Sequence, residues 1–586
     1  MVNRKNLELA PDPLTAYDTA VGALRAAPDD VALKHRCVLL LARAGATEHA
    51  RAEYARLGLD KVTGNEDVLA LGGRILKDLS LAAEGDERRR LAALSAAKYA
   101  QAYALDNGYY PGINTATMFL LAGNEKMSQS IAKAVHDRLQ TSPAPRDEDA
   151  YYVKATEAEA ALLLRRVKGA DAALAMAIMF DARNIAARAT TLRQFETICA
   201  ALGLDARWLD AHRPPKALHF CGHMVFVDDD IEAALNLTDA IKAKLAELEP
   251  GSGFGALAAG ADILIAEALQ ARGAEVHVVL PFREDDFIAQ SVVPFGQSWV
   301  KRYHAVRDKA ASFRAASDEP YMGDDSVFAY GTEFAMGLAI RQAEAARTHA
   351  AQLAVWDGVD SQTIAGTAAD VARWRGAGLA QTIIPCPRGL RRAGRASPKP
   401  VDPARAGRSL KAMLFGDVRG FSKVDESLVK NFIAHVMGPL ADTVRAQPRA
   451  PELEATWGDG FHVVYAAIED AAAAAMELQR RFSAIELATV GLPAHLSLRI
   501  GAHFGPVANL MDPFTLSTKF FGTHINIAAR IEPVAVPGTV YVSEPFAAML
   551  ALRAKDRFIT DYVGQTELPK DFGTMRLFAL RDAGKI

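Results

Sequence analysis

Leu414-Phe-Gly-Asp-Val-Arg-Gly-Phe-Ser422 is an apolar run that stops at a Gly-Asp pair and then breaks. Two later segments complete its reading: Trp457-Gly-Asp-Gly-Phe461 and Phe521-Gly-Thr-His-Ile-Asn-Ile-Ala-Ala-Arg530. The pattern predicts a strand ending near Asp417 and a second strand region ending near Asp459. A further strand is expected over Leu496 to Ala502, and then a helix with Ile525, Ile527, Ala528 and Ile531 on its apolar side. A rigid sheet of this kind can bring two aspartates together from strand ends or adjoining turns.

The residue types point to chemistry on a nucleoside triphosphate. A ribose 3′-oxygen attacking the α-phosphate needs its proton acidified and the departing pyrophosphate charge-balanced, and two divalent cations held by carboxylates do both. Mg²⁺ prefers one or two carboxylates plus substrate phosphates to an all-protein cage, so Asp417 and Asp459 suffice as candidate ligands. The turn Gly420-Phe421-Ser422 is expected to aim backbone N–H groups at phosphate oxygens. Asn526 and Arg530 are four apart and share a helix face, where an amide can orient the ribose and a guanidinium can meet developing charge. Taken singly, these are a turn, a hairpin and a solvated helix face. Their order and spacing together carry the functional reading.

On those motifs, residues from about 410 to 580 resemble the catalytic domain of class III adenylate/guanylate cyclases. The resemblance implies a ferredoxin-like α+β domain that pairs head to tail as a homodimer, with sites at the subunit interface. It makes Asp417 and Asp459 the ligands of two Mg²⁺ or Mn²⁺ ions, with the Val418 carbonyl as an added ligand. Asn526 and Arg530 become the transition-state pair donated across the dimer, and Lys570 falls near the family's phosphate-binding lysine. His503 lies in the family's usual strand and turn and reads as structural. The base-selecting positions depart from the family: Ala455 stands where Lys or Glu is usual, and Lys519 where Asp or Cys is usual. Losing both hydrogen-bonding groups leaves the base open. ATP is the first choice on family frequency. The alternatives are a pyrimidine cyclase making cyclic UMP or cyclic CMP in anti-phage signalling, or a catalytically silent nucleotide-binding regulatory protein. Trp457 is expected to pack in the core.

The 586 residues imply about three domains. Net charge is −3 and the pI about 6.6, which gives no global polyanion-binding signature, so no nucleic-acid partner is expected. Cys37, Cys199, Cys221 and Cys386 fit no ligand spacing and argue for a reducing compartment. The N-terminus lacks a signal-peptide core, and the best apolar run, Ala256 to Leu280, holds Asp262, Glu267, Arg272 and Glu275. The expectation is a cytoplasmic protein without a membrane partner.

Residues 1–213 are Ala-rich with helical periodicity, and Asp106 to Asn114 resembles a signature of tetratricopeptide-like regions; such repeats expose a concave surface suited to a protein partner. Residues 214–387 alternate strands (219–227, 275–280, 352–356, 381–385) with helices, the order of a doubly wound parallel sheet. This region resembles a Rossmann-like sensor for a nucleotide-derived ligand, with Gly253 and Gly255 in a Gly-rich turn and Glu333 at a helix opening as candidate contacts. Residues 388–409 read as a basic, solvated flexible linker to the cyclase-like domain at 410–586.

Overall fold

The structure is a computed structural model that describes residues 13–43, 47–141, 149–182, 184–225, 231–386, 408–570 and 572–583. Its N-terminal part is helical: α1 (Pro13–Ala26), α2 (Val31–Arg43), α3 (Thr47–Arg56), α4 (Glu66–Ala82), α5 (Gly85–Asp106), α6 (Tyr109–Leu121), α7 (Glu125–Thr141), α8 (Ala150–Leu163), α9 (Val167–Phe180) and α10 (Ile185–Leu202). Alanine is both a strong helix former and small enough to let helix axes approach. Accordingly Ala92, Ala96 and Ala102 are buried with Tyr99 on α5, and Ala158, Ala160 and Ala161 on α8. Asn65 caps α4 by accepting from the Val68 N–H. Successive helices pack as antiparallel hairpins.

The middle part is a six-stranded, all-parallel sheet in the order β4-β3-β2-β1-β5-β6. In chain order it runs β1 (Lys216–Gly222), α11 (Ile231–Leu248), β2 (Pro250–Gly255), α12 (Ala261–Ala271), β3 (Glu275–Leu280), α13 (Glu284–Ser291), α14 (Gln297–Arg307), β4 (Ser312–Ala315), α15 (Ser326–Ala346), β5 (Ala350–Trp356), α16 (Thr367–Gly376) and β6 (Ala380–Pro385). The first strand begins three residues earlier than its hydrophobic run suggested, and 226–230 lie outside the described residues. Gly253 and Gly255 are strand residues of β2, not a phosphate-facing turn. A Cβ at Gly253 would stand 2.4 Å from Leu269, and one at Gly255 2.5 Å from the Phe220 carbonyl oxygen, so close packing explains both glycines.

The C-terminal part comprises β7 (Arg408–Arg419), α17 (Val429–Phe432), α18 (Gly438–Arg445), β8 (Leu453–Trp457), β9 (Gly460–Tyr465), α19 (Ile468–Ser483), β10 (Ser497–Asp512), β11 (Ser517–Phe521), α20 (Thr523–Ile531), β12 (Val540–Ser543), α21 (Glu544–Arg553), β13 (Phe558–Glu567) and β14 (Thr574–Asp582). A π turn over Ile433–Met437 joins α17 to α18. The sheet order is β13-β14-β12-β10-β7-β9-β8, with β11 folding back on β10. Placing β7 between β10 and β9, antiparallel to both, puts its end at the middle of the sheet. The β10–β11 hairpin extends beyond the rest and exposes Leu510, Met511, Phe514 and Leu516 at its tip.

The middle and C-terminal parts share one hydrophobic core. Helix α15 lies against α21 so closely that a Cβ at Gly337 would be 2.1 Å from the Ala548 carbonyl oxygen. Tyr330 Oη donates to the Phe504 carbonyl at 3.0 Å, and Arg314 Nη1 meets Glu544 Oε1 at 2.5 Å. Most of the expected basic linker, 387–407, lies outside the described residues. Arg408, assigned to that linker, instead opens β7; only 7% of its side chain is exposed, and Nε lies 2.5 Å from Asp324 Oδ2. A charge this deeply buried needs such a partner. Among the described residues no helix is long and apolar enough to cross a membrane, and none of the four cysteines forms a disulfide.

Candidate active site

The register of the sheet brings the two aspartates together. Asp417 pairs across β7 and β9 with Gly460, the residue after Asp459, and the Val418 N–H donates to the Asp459 carbonyl oxygen at 3.3 Å. Asp459 occupies the two-residue tip of the β8–β9 hairpin beside Gly458, whose φ of +65° is the left-handed value that such a turn demands. Thus Asp417 comes from a strand end and Asp459 from the adjoining turn. The carboxyls are close enough to interact: burial, with the neighbouring Asp417 charge added, holds Asp459 above the usual carboxylate range. Adjacent, partly desolvated carboxylates form a donor set that fits a hard divalent cation. Among the described residues no three His, Cys, Asp or Glu side chains form a metal cage of their own.

Two residues that sequence reasoning passed over stand at the same spot. Arg499 Nη2 donates to Asp417 Oδ2 at 2.7 Å and lies 2.9 Å from Glu532 Oε1. Burial pushes the Glu532 carboxyl up to about 7; Arg499 opposes this, while the charges of Asp417 and Asp459 add to it. A usable signal was Arg499 itself, a charge between the fully buried Leu498 and Ile500. Nothing local marks Glu532. It reaches the site because Gly501 has no side chain: a Cβ there would stand 2.3 Å from the Glu532 N.

Asn526 and Arg530 sit on α20 as expected. The helix buries His524, Ala528 and Ile531 against the sheet, which leaves Asn526 exposed and Arg530 half-buried with Nε unpartnered. Gly505 lets the start of α20 lie directly on β10, since a Cβ would fall 2.2 Å from His524 Nδ1. His503 is buried: its Nδ1 is 2.7 Å from Ser543 Oγ and its Nε2 is 2.7 Å from His524 Nδ1. His524 Nε2 in turn lies 3.3 Å from Ser317 Oγ of the middle part, and Thr523 Oγ1 hydrogen-bonds Glu319. The N-terminus of the Asn/Arg helix is thereby held by the middle part of the chain.

Gly420 adopts φ +95°, beside the His495 ring, and begins a short 3₁₀ turn in place of the expected helix start. Phe421 packs on Phe432 with ring centroids 4.3 Å apart, and Ser422 is exposed. Val418 is fully buried. Ala455 faces His462 across the hairpin, whereas Lys519 on β11 is tied to Asp512 at 2.8 Å. The Lys519 hydrogen bond, helped by the Phe514 N–H, draws Asp512 down to about 2. Trp457 is 53% exposed, so the expectation of core packing is overturned; its tilted contact with Phe415, with ring centroids 5.8 Å apart, covers only part of the ring. Lys570 is exposed in the β13–β14 loop at φ +64°. Glu333 does not open its helix as expected, since α15 starts at Ser326. It is 3% exposed within α15, where Arg373 Nε at 2.8 Å and Arg553 both pair with it, at a cleft of about 520 Å³ between the middle and C-terminal parts.

Residues 409–582 match the family model of the adenylate and guanylate cyclase catalytic domain, and residues 16–119 match that of Tetratricopeptide Repeats-Sensor. No curated protein matches the chain. Among solved structures, the chain is similar to the guanylate cyclase domain of RhGC from Catenaria anguillulae. That pair shares 20% identity and covers 30% of this chain and 99% of the other, at a TM-score of 0.26. It is also similar to the adenylyl cyclase CyaB from P. aeruginosa, at 16% identity over 30% of this chain and 95% of the other, with a TM-score of 0.27. The family match at 409–582 supports a nucleotidyl cyclase.

Proposed function

We propose that the C-terminal part converts a nucleoside triphosphate to a 3′,5′-cyclic nucleotide and pyrophosphate. The observation that carries this reading is the β7–β9 register, which sets Asp417 beside Asp459 at the centre of the sheet. Divalent cations held by these two carboxylates would acidify the ribose 3′-hydroxyl and balance the charge of pyrophosphate. Arg499 orients Asp417, and Glu532 holds Arg499 in turn. The 3′-oxygen bonds to the α-phosphorus as the bond to the bridging oxygen of pyrophosphate breaks. Asn526 positions the ribose, and Arg530 neutralises charge on the phosphates as it builds.

Both of these side chains stand away from the buried face of α20, which supports their donation to a second copy of the chain in a homodimer. On this reading the C-terminal sheet is ferredoxin-like and the middle sheet Rossmann-like, the latter acting as a regulatory module. ATP is the proposed substrate. Ala455 offers no hydrogen bond to a base, and Lys519 is already engaged by Asp512, so the base is chosen by other contacts.

Incubating the full chain with each of the four ribonucleoside triphosphates and Mg²⁺ or Mn²⁺, followed by mass spectrometry, tests the reading. Cyclic AMP is the expected product. A cyclic pyrimidine nucleotide instead would move the substrate but keep the reaction. No cyclic product from any of the four would leave a silent nucleotide receptor. Asp417→Asn is expected to cut turnover about a thousandfold or more, since several kcal/mol of transition-state stabilisation go with the cation.

A further inference from the structure

The inner wall of the helical part carries basic side chains that the proposed cyclase chemistry does not use. Helices α2, α4, α6, α8 and α10 are the first members of successive hairpins and stack along this wall. Arg43 at the end of α2, Arg74 and Lys77 on α4, and Arg193 on α10 converge there. Arg43 lies within electrostatic reach of Arg74, and Lys77 and Arg193 both lie within reach of Arg74. Like charges at such range repel, and desolvation adds to the cost. Arg43 and Arg193 reach solvent, but the protein packed around them desolvates them in part, and with the neighbouring cations added this holds both below the usual arginine range.

Burial works against the Arg74 charge, but Asp78 and the Tyr110 hydroxyl outweigh it and hold that guanidinium above the usual arginine range; the other three cations are not closed by carboxylates in the same way. Asp78 approaches Arg74 Nε no closer than 3.7 Å, and that Nε has no hydrogen-bond partner. Glu159 Oε1 is taken by Thr117 and Gln194, each at 2.6 Å, while Lys77 Nζ donates instead to the Asn114 amide oxygen at 3.0 Å. Glu196, beside Arg193, is engaged by Arg213 and Arg347. Among the described residues Arg43 and Arg193 have no carboxylate within 4.0 Å, and both remain solvent-accessible. A structural ion-pair network would close these contacts. This one leaves Arg43 and Arg193 without a carboxylate, each within electrostatic reach of Arg74.

We propose that the concave face of the helical part binds a compact polyphosphate-type anion through Arg43, Arg74, Lys77 and Arg193. Guanidinium forks match phosphate oxygens in pairs and the lysine supplies a point charge, a set suited to several adjacent phosphoryl groups. Arg74 is within electrostatic reach of each of the other three, so the cations group around one point, whereas an extended acidic peptide would call for a row of them. This inference does not depend on the cyclase reading, because it concerns binding at a different part of the chain.

The test is isothermal titration calorimetry of the full chain with inorganic tripolyphosphate, ATP, inorganic phosphate and a deca-glutamate peptide. Tripolyphosphate is expected to bind and to weaken with added salt. Arg43→Gln and Arg193→Gln, both at accessible positions, should each weaken it at least tenfold with the circular dichroism spectrum unchanged. Asp417→Asn should leave that affinity as it was. ATP binding that behaves in the same way would assign the site to nucleotide phosphates; tripolyphosphate or phosphate alone would assign it to free polyanions. The proposal is overturned by an absence of binding with every phosphate probe, by equal affinity in the arginine variants, by loss of binding in Asp417→Asn alone, or by the peptide binding more tightly than any phosphate.

Discussion

The closeness of Asp417 to Asp459 and the shared helix of Asn526 and Arg530 were legible because each sits at a punctuation mark of the chain: a Gly-Asp at the end of an apolar run, or positions four apart on a short helix. Arg499 and Glu532 were not, since their relevance depends on a strand pairing and on the missing side chain of Gly501. The His503–His524 pair is of the same kind. Both rings are buried, stacked with centroids 5.0 Å apart, and surrounded by Ser543, Ser317 and Tyr330, with Arg408 near enough to disfavour protonation further. Burial lowers His524 to about 3. Between that value and the ordinary 6.5 the unfolded chain binds a proton that the folded chain does not. The contribution of His524 is therefore intact above about pH 6.5 and lost as pH falls, at up to about 1.4 kcal/mol per pH unit. His524→Gln should destabilise the protein at pH 7.5, and the gap from wild type should narrow by about 2 kcal/mol at pH 5.0 in chemical denaturation. An unchanged gap would mean that the ring is not held neutral.

At the scale of elements, strands with clear boundaries were read well: Glu275 to Leu280 agrees at both ends with β3, and β5 and β6 each begin within two residues of their expected starts. The Gly-rich stretch before α12 misled, because glycines that admit neighbouring side chains in a parallel sheet look like glycines of a turn. The junction of α15 with α21 was also hidden, since helices from separate parts of the chain carry no shared sequence signal. It rests on Gly337 against Ala548 and on Glu333 between two arginines. Glu333→Gln leaves Arg373 and Arg553 facing a neutral amide, and breaking a buried ion pair in this way costs about 3 kcal/mol or more. Gly337→Val forces the two helices apart. Both variants should lower the thermal midpoint and separate one melting transition into two in calorimetry, whereas Arg445→Gln on the exposed side of α18 should do neither.

For the whole molecule, the question is how one chain can hold a complete site when Asn526 and Arg530 turn away from the face on which their helix is anchored. The proposed homodimer would answer it and makes a sharp prediction. Asp417→Ala and Arg530→Ala chains, each inactive alone, should regain activity when mixed, because a mixed dimer contains one intact site; no recovery at any ratio would count against sharing. Ser317→Ala and Glu319→Gln belong to this scale too, since they loosen the grip of the middle part on α20. They are expected to lower kcat more than they raise KM. The amino-acid sequence by itself determined the order of the three parts, the helical character of the first, the strand-helix alternation of the second and the two aspartates of the third, because hydrophobic period and turn residues are local properties. Only the tertiary structure decided that Arg499 and Glu532 join the aspartates, that Glu333 is an ion-pair residue between the middle and C-terminal parts and that cations from three helices gather around Arg74. Those relations are made by pairing register and by close backbone approach between segments distant in the chain, and no local pattern of residues encodes them.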